Sequence, residues 1–150
     1  MGDFIAATPQ ESVGLQFWKL YQIWQKRIAE TLTPVSISHT QFVILATLKW
    51  FQEQDVLPTQ QQISDVSGIE KMTLSKAIRQ LENKSFLVRK ISERDSRSFS
   101  LLLTKTGKQS LVSAIKKVEA IDLEVFGVLG REKSIQLSKR LLEINEALGC

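Results

Sequence analysis

Apolar residues recur at three- and four-residue intervals along most of this chain and switch to alternation only near position 90. Val13, Phe17, Leu20, Tyr21, Trp24 and Ile28 keep helical spacing and predict a first helix from Glu11 to about Leu32, behind a loose arm over residues 1–10. Thr33 to Ile37 is a linker containing Pro34. Ser38 and Gln41 then form a capping box that opens a helix to about Gln54. Phe42, Leu45, Ala46 and Leu48 supply its buried side, and Trp50 and Phe51 lie near its end. After a polar connection over Glu53 to Leu57, Pro58 and Thr59 open a third helix. Its capping box pairs Thr59 with Gln62, and its apolar stripe is Ile63 and Val66. Gly68 supplies the positive φ of a tight helix–helix turn. From about Glu70 to Lys84, Leu74, Ala77, Ile78 and Leu81 face a core.

The period changes there. Phe86, Leu87, Val88 and Ile91 read as one strand, and Phe99, Leu101 and Leu103 alternate as a second, around the charged tip ISERDSRS. Thr104 caps a long helix to about Phe126, with Leu111, Ile115, Val118, Ile121 (or Asp122 on the neighbouring row) and Val125 as its stripe. Gly127 and Gly130 interrupt it, and a last helix from about Arg131 to Leu148 aligns Leu137, Leu141, Ile144 and Leu148. The pattern predicts a mainly α fold with a small β wing, a winged helix-turn-helix between long terminal helices.

Such a unit reads DNA. The solvent face of the Glu70–Lys84 helix carries Lys71, Met72, Thr73, Ser75, Lys76 and Arg79. Short polar groups near its start suit base edges, and the cations beside them suit phosphates. An ordinary amphipathic helix with a solvated basic face fits this helix equally well; the hairpin behind it favours the DNA reader. In the tip, Arg94 and Arg97 flank Asp95, and an arginine there can enter a narrow A·T minor groove.

These residues resemble the MarR family of bacterial transcription regulators. The match runs through Gly68 and Ile69, Thr73 to Lys76, Leu81 to Arg89, the wing Arg94 to Arg97, Leu103 and Thr104, and Thr106 and Gly107. It is strongest over Ser38 to Gly107 and extends by helix pattern to the whole chain. The resemblance implies a homodimer with one winged helix-turn-helix per subunit. It assigns recognition contacts to Lys71, Thr73, Ser75, Lys76 and Arg79, the minor-groove arginine to Arg97, and an arginine-orienting role to Asp95. There are two departures. Ser85 stands where the family usually has glycine, and a serine at positive φ there costs about 1 kcal/mol, so a differently shaped turn or strain at Asn83 is expected. Ser96 stands where arginine is common.

Charge agrees with this reading without requiring it. The 150 residues carry a net charge of +4. Positions 70–97 hold eight Lys or Arg against four Asp or Glu, which concentrates the excess in the proposed reader. The length suits one domain. No run of about 18 apolar residues predicts a membrane span, and no basic-then-apolar leader is visible at the N-terminus. Ala6 disfavours myristoylation at Gly2. A cytoplasmic address is expected.

The apolar faces of the terminal helices, residues 11–32 and 105–148, exceed what a winged-helix lobe over 38–104 needs. They predict pairing with a second copy, which sets two recognition helices about 34 Å apart on a pseudo-palindromic site. Trp18, Tyr21 and Trp24, with Trp50, read either as core and dimer contact or as the wall of an effector pocket for a small aromatic or acidic ligand. The resemblance points to such a pocket between the dimerisation helices and the reading lobe, where Lys26 or Arg27 could meet an acidic ligand. His39 is the sole histidine and reads as a boundary residue; no Cys/His cluster suggests a metal, and no cofactor is expected. Cys150 is the sole cysteine, which excludes an intrasubunit disulfide switch. No phosphate loop or nucleophile elbow marks an enzyme. The expectation is a DNA-binding transcription regulator, a repressor that a small-molecule effector releases. The rival readings are a winged-helix protein-interaction module and a non-specific architectural DNA binder.

Overall fold

Three hydroxyl side chains start three of the helices. Ser38 Oγ accepts from Gln41 N at 3.1 Å while Ser38 N donates to Gln41 Oε1 at 3.2 Å. Thr59 and Gln62 repeat this exchange at 3.2 and 2.9 Å, and Thr104 Oγ1 accepts from Gly107 N at 3.0 Å. Each bond satisfies an amide that the first helical turn leaves without an intrahelical partner.

The computed structural model of the protein describes residues 7–91 and 99–150. Its α-helices are α1 (Val13–Leu32), α2 (His39–Glu53), α3 (Gln60–Ser67), α4 (Lys71–Asn83), α5 (Lys105–Phe126) and α6 (Arg131–Ala147). Short 3-10 turns at Pro9–Glu11, Thr33–Val35 and Gly127–Leu129 flank α1 and separate α5 from α6. Strands β1 (Leu87–Ile91) and β2 (Phe99–Leu103) pair antiparallel, with Leu87 opposite Leu103 and Ile91 opposite Phe99. Arg94, Asp95, Ser96 and Arg97 lie outside the described residues.

The core is shared by the winged helix-turn-helix and the helices flanking it, with Ile28 and Leu32 entering from α1. Leu74, Ala77, Ile78 and Leu81 of α4 are buried with Ile44, Leu45 and Leu48 of α2, Ile63 of α3, Leu87, Leu101 and Leu103 of the strands, and Leu111, Ala114 and Val118 of α5. Each fully buried Leu or Ile contributes about 1.5–3 kcal/mol relative to exposure. Gln41 brings a polar anchor into this packing. Its Nε2 donates to Gln80 Oε1 at 2.9 Å and its Oε1 accepts from Lys84 Nζ at 3.0 Å, which ties the start of α2 to the end of α4. The capping role of Gln41 was legible; this second role was not.

Several apolar positions face outward instead. Val66, assigned to the α3 stripe, is 54% exposed, because α3 is only two turns long and Ile63 alone reaches the core. In β1 only Leu87 is buried; Val88 points to the opposite face of the hairpin from Leu87, and Ile91 lies at its outer end. The stripe of α1 enters the core only through Trp24, Ile28 and Leu32, while Val13, Phe17 and Tyr21 are exposed. Helix α6 has no buried residue at all.

The turn after α4 corrects a second expectation. Ser85 itself takes φ +60°, while Asn83 remains helical. Phe86 N donates to Leu81 O at 2.9 Å and Ser85 N to Glu82 O at 2.8 Å, a closure that requires a left-handed residue between helix and strand. Thr104 Oγ1 donates to Ser85 O at 2.6 Å and fastens the turn to the start of α5. Gly107 lies against the same corner; a Cβ there would stand 1.9 Å from Phe86 O, so α5 approaches the strand only because this position has no side chain. We predict that Ser85→Gly raises the unfolding free energy by about 1 kcal/mol, the left-handed penalty removed. Urea melts measure it, and an unchanged or lowered midpoint would contradict strain at this turn.

Candidate nucleic-acid interface

With Leu74, Ile78 and Leu81 committed inward, the opposite face of α4 must point away from the lobe. Lys71, Thr73, Lys76 and Arg79 are exposed there, and Ser75 is half-buried at its edge. Lys71, Lys76 and Arg79 form no ion pair with any described residue, so three cations of this helix stay available to an external anion.

The two hydroxyls are already oriented. Thr73 Oγ1 donates to Glu70 Oε2 at 3.3 Å, leaving its lone pairs outward. Ser75 Oγ accepts from Gln60 Nε2 at 2.5 Å, leaving its proton to give. Thr73 thus presents an acceptor and Ser75 a donor, the two functions that base edges require. Gln60 belongs to α3, so the first helix of the pair positions a side chain of the second.

Glu70 is the N-cap of α4. Its carboxylate accepts from Met72 N at 3.0 Å and Thr73 N at 3.2 Å. Those amides are therefore closed to a phosphate, and anion contacts on α4 fall to the side chains. Sequence reasoning placed Glu70 inside the helix; an acidic residue directly after Gly68 and Ile69 was the available signal for a cap. The two backbone amides, Met72 first, hold its carboxyl below the ordinary value of 4.5.

The wing is anchored to the same helix. Arg89 of β1 pairs with Glu82 on the last turns of α4, and its guanidinium stands 5.9 Å from the Phe99 ring centroid. On the other edge Leu101 N donates to Pro58 O at 2.9 Å, and Thr59 bridges to Ser100. The hairpin stem is thus fixed to both helices of the reader. Arg94 and Arg97, the predicted groove-entering residues, belong to the tip outside the described residues.

Of the four aromatics proposed for a pocket, Tyr21 and Trp24 stand ring to ring, with centroids 6.5 Å apart. Trp24 is half-buried, donates through Nε1 to Asp122 Oδ1 at 2.8 Å and packs at 5.1 Å from His39 and 6.2 Å from Phe126. It therefore joins α1, α2 and α5. Burial lowers the His39 pKa from the ordinary 6.5, and the charge of Asp122 opposes that shift. Tyr21 is 44% exposed beside Phe17, and Trp18 is 59% exposed. Trp50 lies edge-on to Phe51, half-exposed at the far end of α2. A cleft of about 520 Å³ opens between α5 and α6; Asp122, Phe126, Leu137 and Leu141 line it, and none of the four proposed aromatics does. It touches the aromatic cluster only through the Trp24 partners Asp122 and Phe126.

No described helix is long and apolar enough to cross a membrane, and among the described residues no His, Cys, Asp or Glu cluster could hold a metal ion.

We predict that the stability difference between the wild type and Glu70→Gln depends on pH. The folded-state pKa of Glu70 is depressed, so its charge-dependent contribution is complete above the unfolded value near 4.5 and is lost as pH falls through the lower folded value. Thermal melts at pH 7 should separate the two proteins, and the gap should close toward pH 3. A gap independent of pH would contradict the cap.

Comparison with known proteins agrees with this geometry. Residues 26–122 match the family model of the ArnR1-like winged-helix domain. The uncharacterized HTH-type transcriptional regulator YdcH of Bacillus subtilis (strain 168) is 29% identical over 126 residues, covering 84% of this chain and 86% of that protein. Among solved structures, the transcriptional repressor CouR bound to a 23-mer DNA duplex superposes with a TM-score of 0.81 at 24% identity, over 95% of this chain and 99% of that one. A MarR transcriptional regulator from Methanosarcina mazei Go1 gives 0.76 at 24% identity, over 90% and 94%. At these identities the two structures establish the shared fold. The chain belongs to the ArnR1-like winged-helix family and has the fold of the solved MarR-type transcriptional regulators.

Proposed function

We propose that the protein binds promoter DNA as a homodimer and represses transcription by occupying the site, with α4 in the major groove and the wing in the flanking minor groove. One observation carries the reading: α4 buries Leu74, Ala77, Ile78 and Leu81 and holds Lys71, Lys76 and Arg79 outward without ion pairs among the described residues. Thr73 and Ser75 take the base edges, Lys71, Lys76 and Arg79 the phosphates and guanines, and Arg94 and Arg97 the minor groove. That CouR and MepR of S. aureus have been solved on DNA with this fold supports the assignment.

Exposed apolar side chains at both chain ends support the homodimer. Val13, Phe17, Trp18 and Ile23 of α1, Leu123 of α5, Leu142 and Ile144 of α6, and Leu148 just past its end are each more than half exposed in the single chain. Apolar surface on this scale marks an interaction face. Residues 11–32 and 105–148 then form the dimerisation unit and 38–104 the reading lobe. Because the two lobes are joined through those helices, a ligand wedged among them changes the separation of the two recognition helices and so their fit to sites about 34 Å apart. CouR solved with p-coumaroyl-CoA supports a small aromatic or acidic effector, with Trp18, Tyr21, Trp24 and Trp50 as the candidate contacts.

Replacing Lys76 by alanine tests the interface. As a phosphate contact, its loss should reduce the slope of log affinity against log salt by about 1 while leaving sequence preference unchanged. Fluorescence anisotropy across a salt series measures both, and an unchanged slope would remove Lys76 from the DNA surface.

A further inference from the structure

Residues 72, 76, 79 and 83 follow helical spacing on one ridge of α4, diametrically opposite the buried Leu74, Ile78 and Leu81. Lys76, Arg79 and Asn83 are polar members of this ridge. Met72, at its N-terminal end, is apolar and 79% exposed. Nothing in the fold requires it there; alanine or a polar residue would suit the helix as well. Its backbone is fixed, since Met72 N donates to Glu70 Oε1 at 3.0 Å and holds the first turn in register with the cap.

We infer that Met72 is a specificity-determining contact that packs against a thymine C5-methyl group in the major groove. This rests on the DNA-binding reading above. The first turn of a recognition helix is the part that reaches base edges, and the outermost ridge enters the groove most deeply. Apart from the small cytosine C5–H, the other groups that base pairs present there are hydrogen-bond donors or acceptors; the thymine methyl is the apolar feature a thioether can cover. Methionine is unbranched and polarizable and fits an irregular apolar contact without demanding one rotamer. Its neighbours divide the remaining work: the Thr73 acceptor and Ser75 donor flank it, and Lys76 follows one turn on.

The test begins by selecting bound sequences from a random duplex library with the full chain. Each thymine of the selected site is then replaced, one at a time, by uracil, which removes only the methyl group. Wild type and Met72→Ala are compared on every duplex, with Lys76→Ala as the control. We expect one thymine per half-site at which uracil weakens wild-type binding about 4-fold, the worth of one buried methyl group. Met72→Ala should lose that sensitivity and keep the wild-type salt slope, whereas Lys76→Ala should keep the uracil penalty. Circular dichroism melts check that Met72→Ala folds, as the exposure of the residue predicts. A uracil penalty of the same size in Met72→Ala, or no penalty at any thymine, would overturn the assignment while leaving DNA binding intact. A library that yields no sequence bound in a salt-dependent way would overturn the DNA-binding reading, and Met72 with it.

Discussion

The structure depends on one helix seated by one face. Leu74, Ile78 and Leu81 of α4 are fully buried among side chains from α2, α3, both strands and α5, and no rotation of α4 keeps them covered while turning Lys76 or Arg79 inward. The hydrophobic commitment of one side therefore sets the direction of the other. The attachments around α4 serve that orientation. Glu70 fixes its first turn, Gln60 reaches across from α3 to Ser75, the Gln41–Gln80 and Gln41–Lys84 bonds hold its last turns, and the Glu82–Arg89 pair ties the wing stem to it. The surface pair with Arg89 adds little stability, but it keeps strand and helix in fixed relation.

A second constraint divides the chain. The core closes around the winged helix-turn-helix with Ile28 and Leu32 of α1 and Leu111, Ala114 and Val118 of α5, whereas α6 buries nothing and the first half of α1 remains exposed. That core is complete within one chain, and the packing of α6 and of the start of α1 is not. In the proposed homodimer the ends complete their packing in a partner, so the geometry between the two lobes is set by the least self-contained part of each chain. On the proposed function, an effector acting there needs only a small change in helix packing to move the readers apart.

Much of the reading lobe was legible in the sequence because its signals are local. Ser38 with Gln41, Thr59 with Gln62, and Thr104 each announced a helix start, and Gly68 takes φ +71° at the turn between α3 and α4. The outward placement of Lys71, Thr73, Lys76 and Arg79 followed from the spacing of Leu74, Ile78 and Leu81. What was not legible depends on tertiary partners. Val66 kept helical period yet faces solvent, because a two-turn helix offers the core a single contact. Ser85 bears the left-handed turn that a glycine would take without strain, since the Phe86–Leu81 and Thr104–Ser85 bonds fix the chain path whichever residue occupies it. The α1 stripe combined two surfaces in one period: Trp24, Ile28 and Leu32 for its own core, and Val13 to Tyr21 for something outside the chain. Periodicity gives direction but does not identify the neighbour.

The most direct measurement of the central claim is fluorescence anisotropy with duplexes tiled across the DNA upstream of the protein's own gene, each at several salt concentrations, beside a scrambled duplex. The account predicts tight binding to one tile, with log affinity falling steeply and linearly against log salt as phosphates are neutralised. Absence of binding to every duplex at low salt would contradict it and turn the exposed face of α4 into a surface for a protein partner.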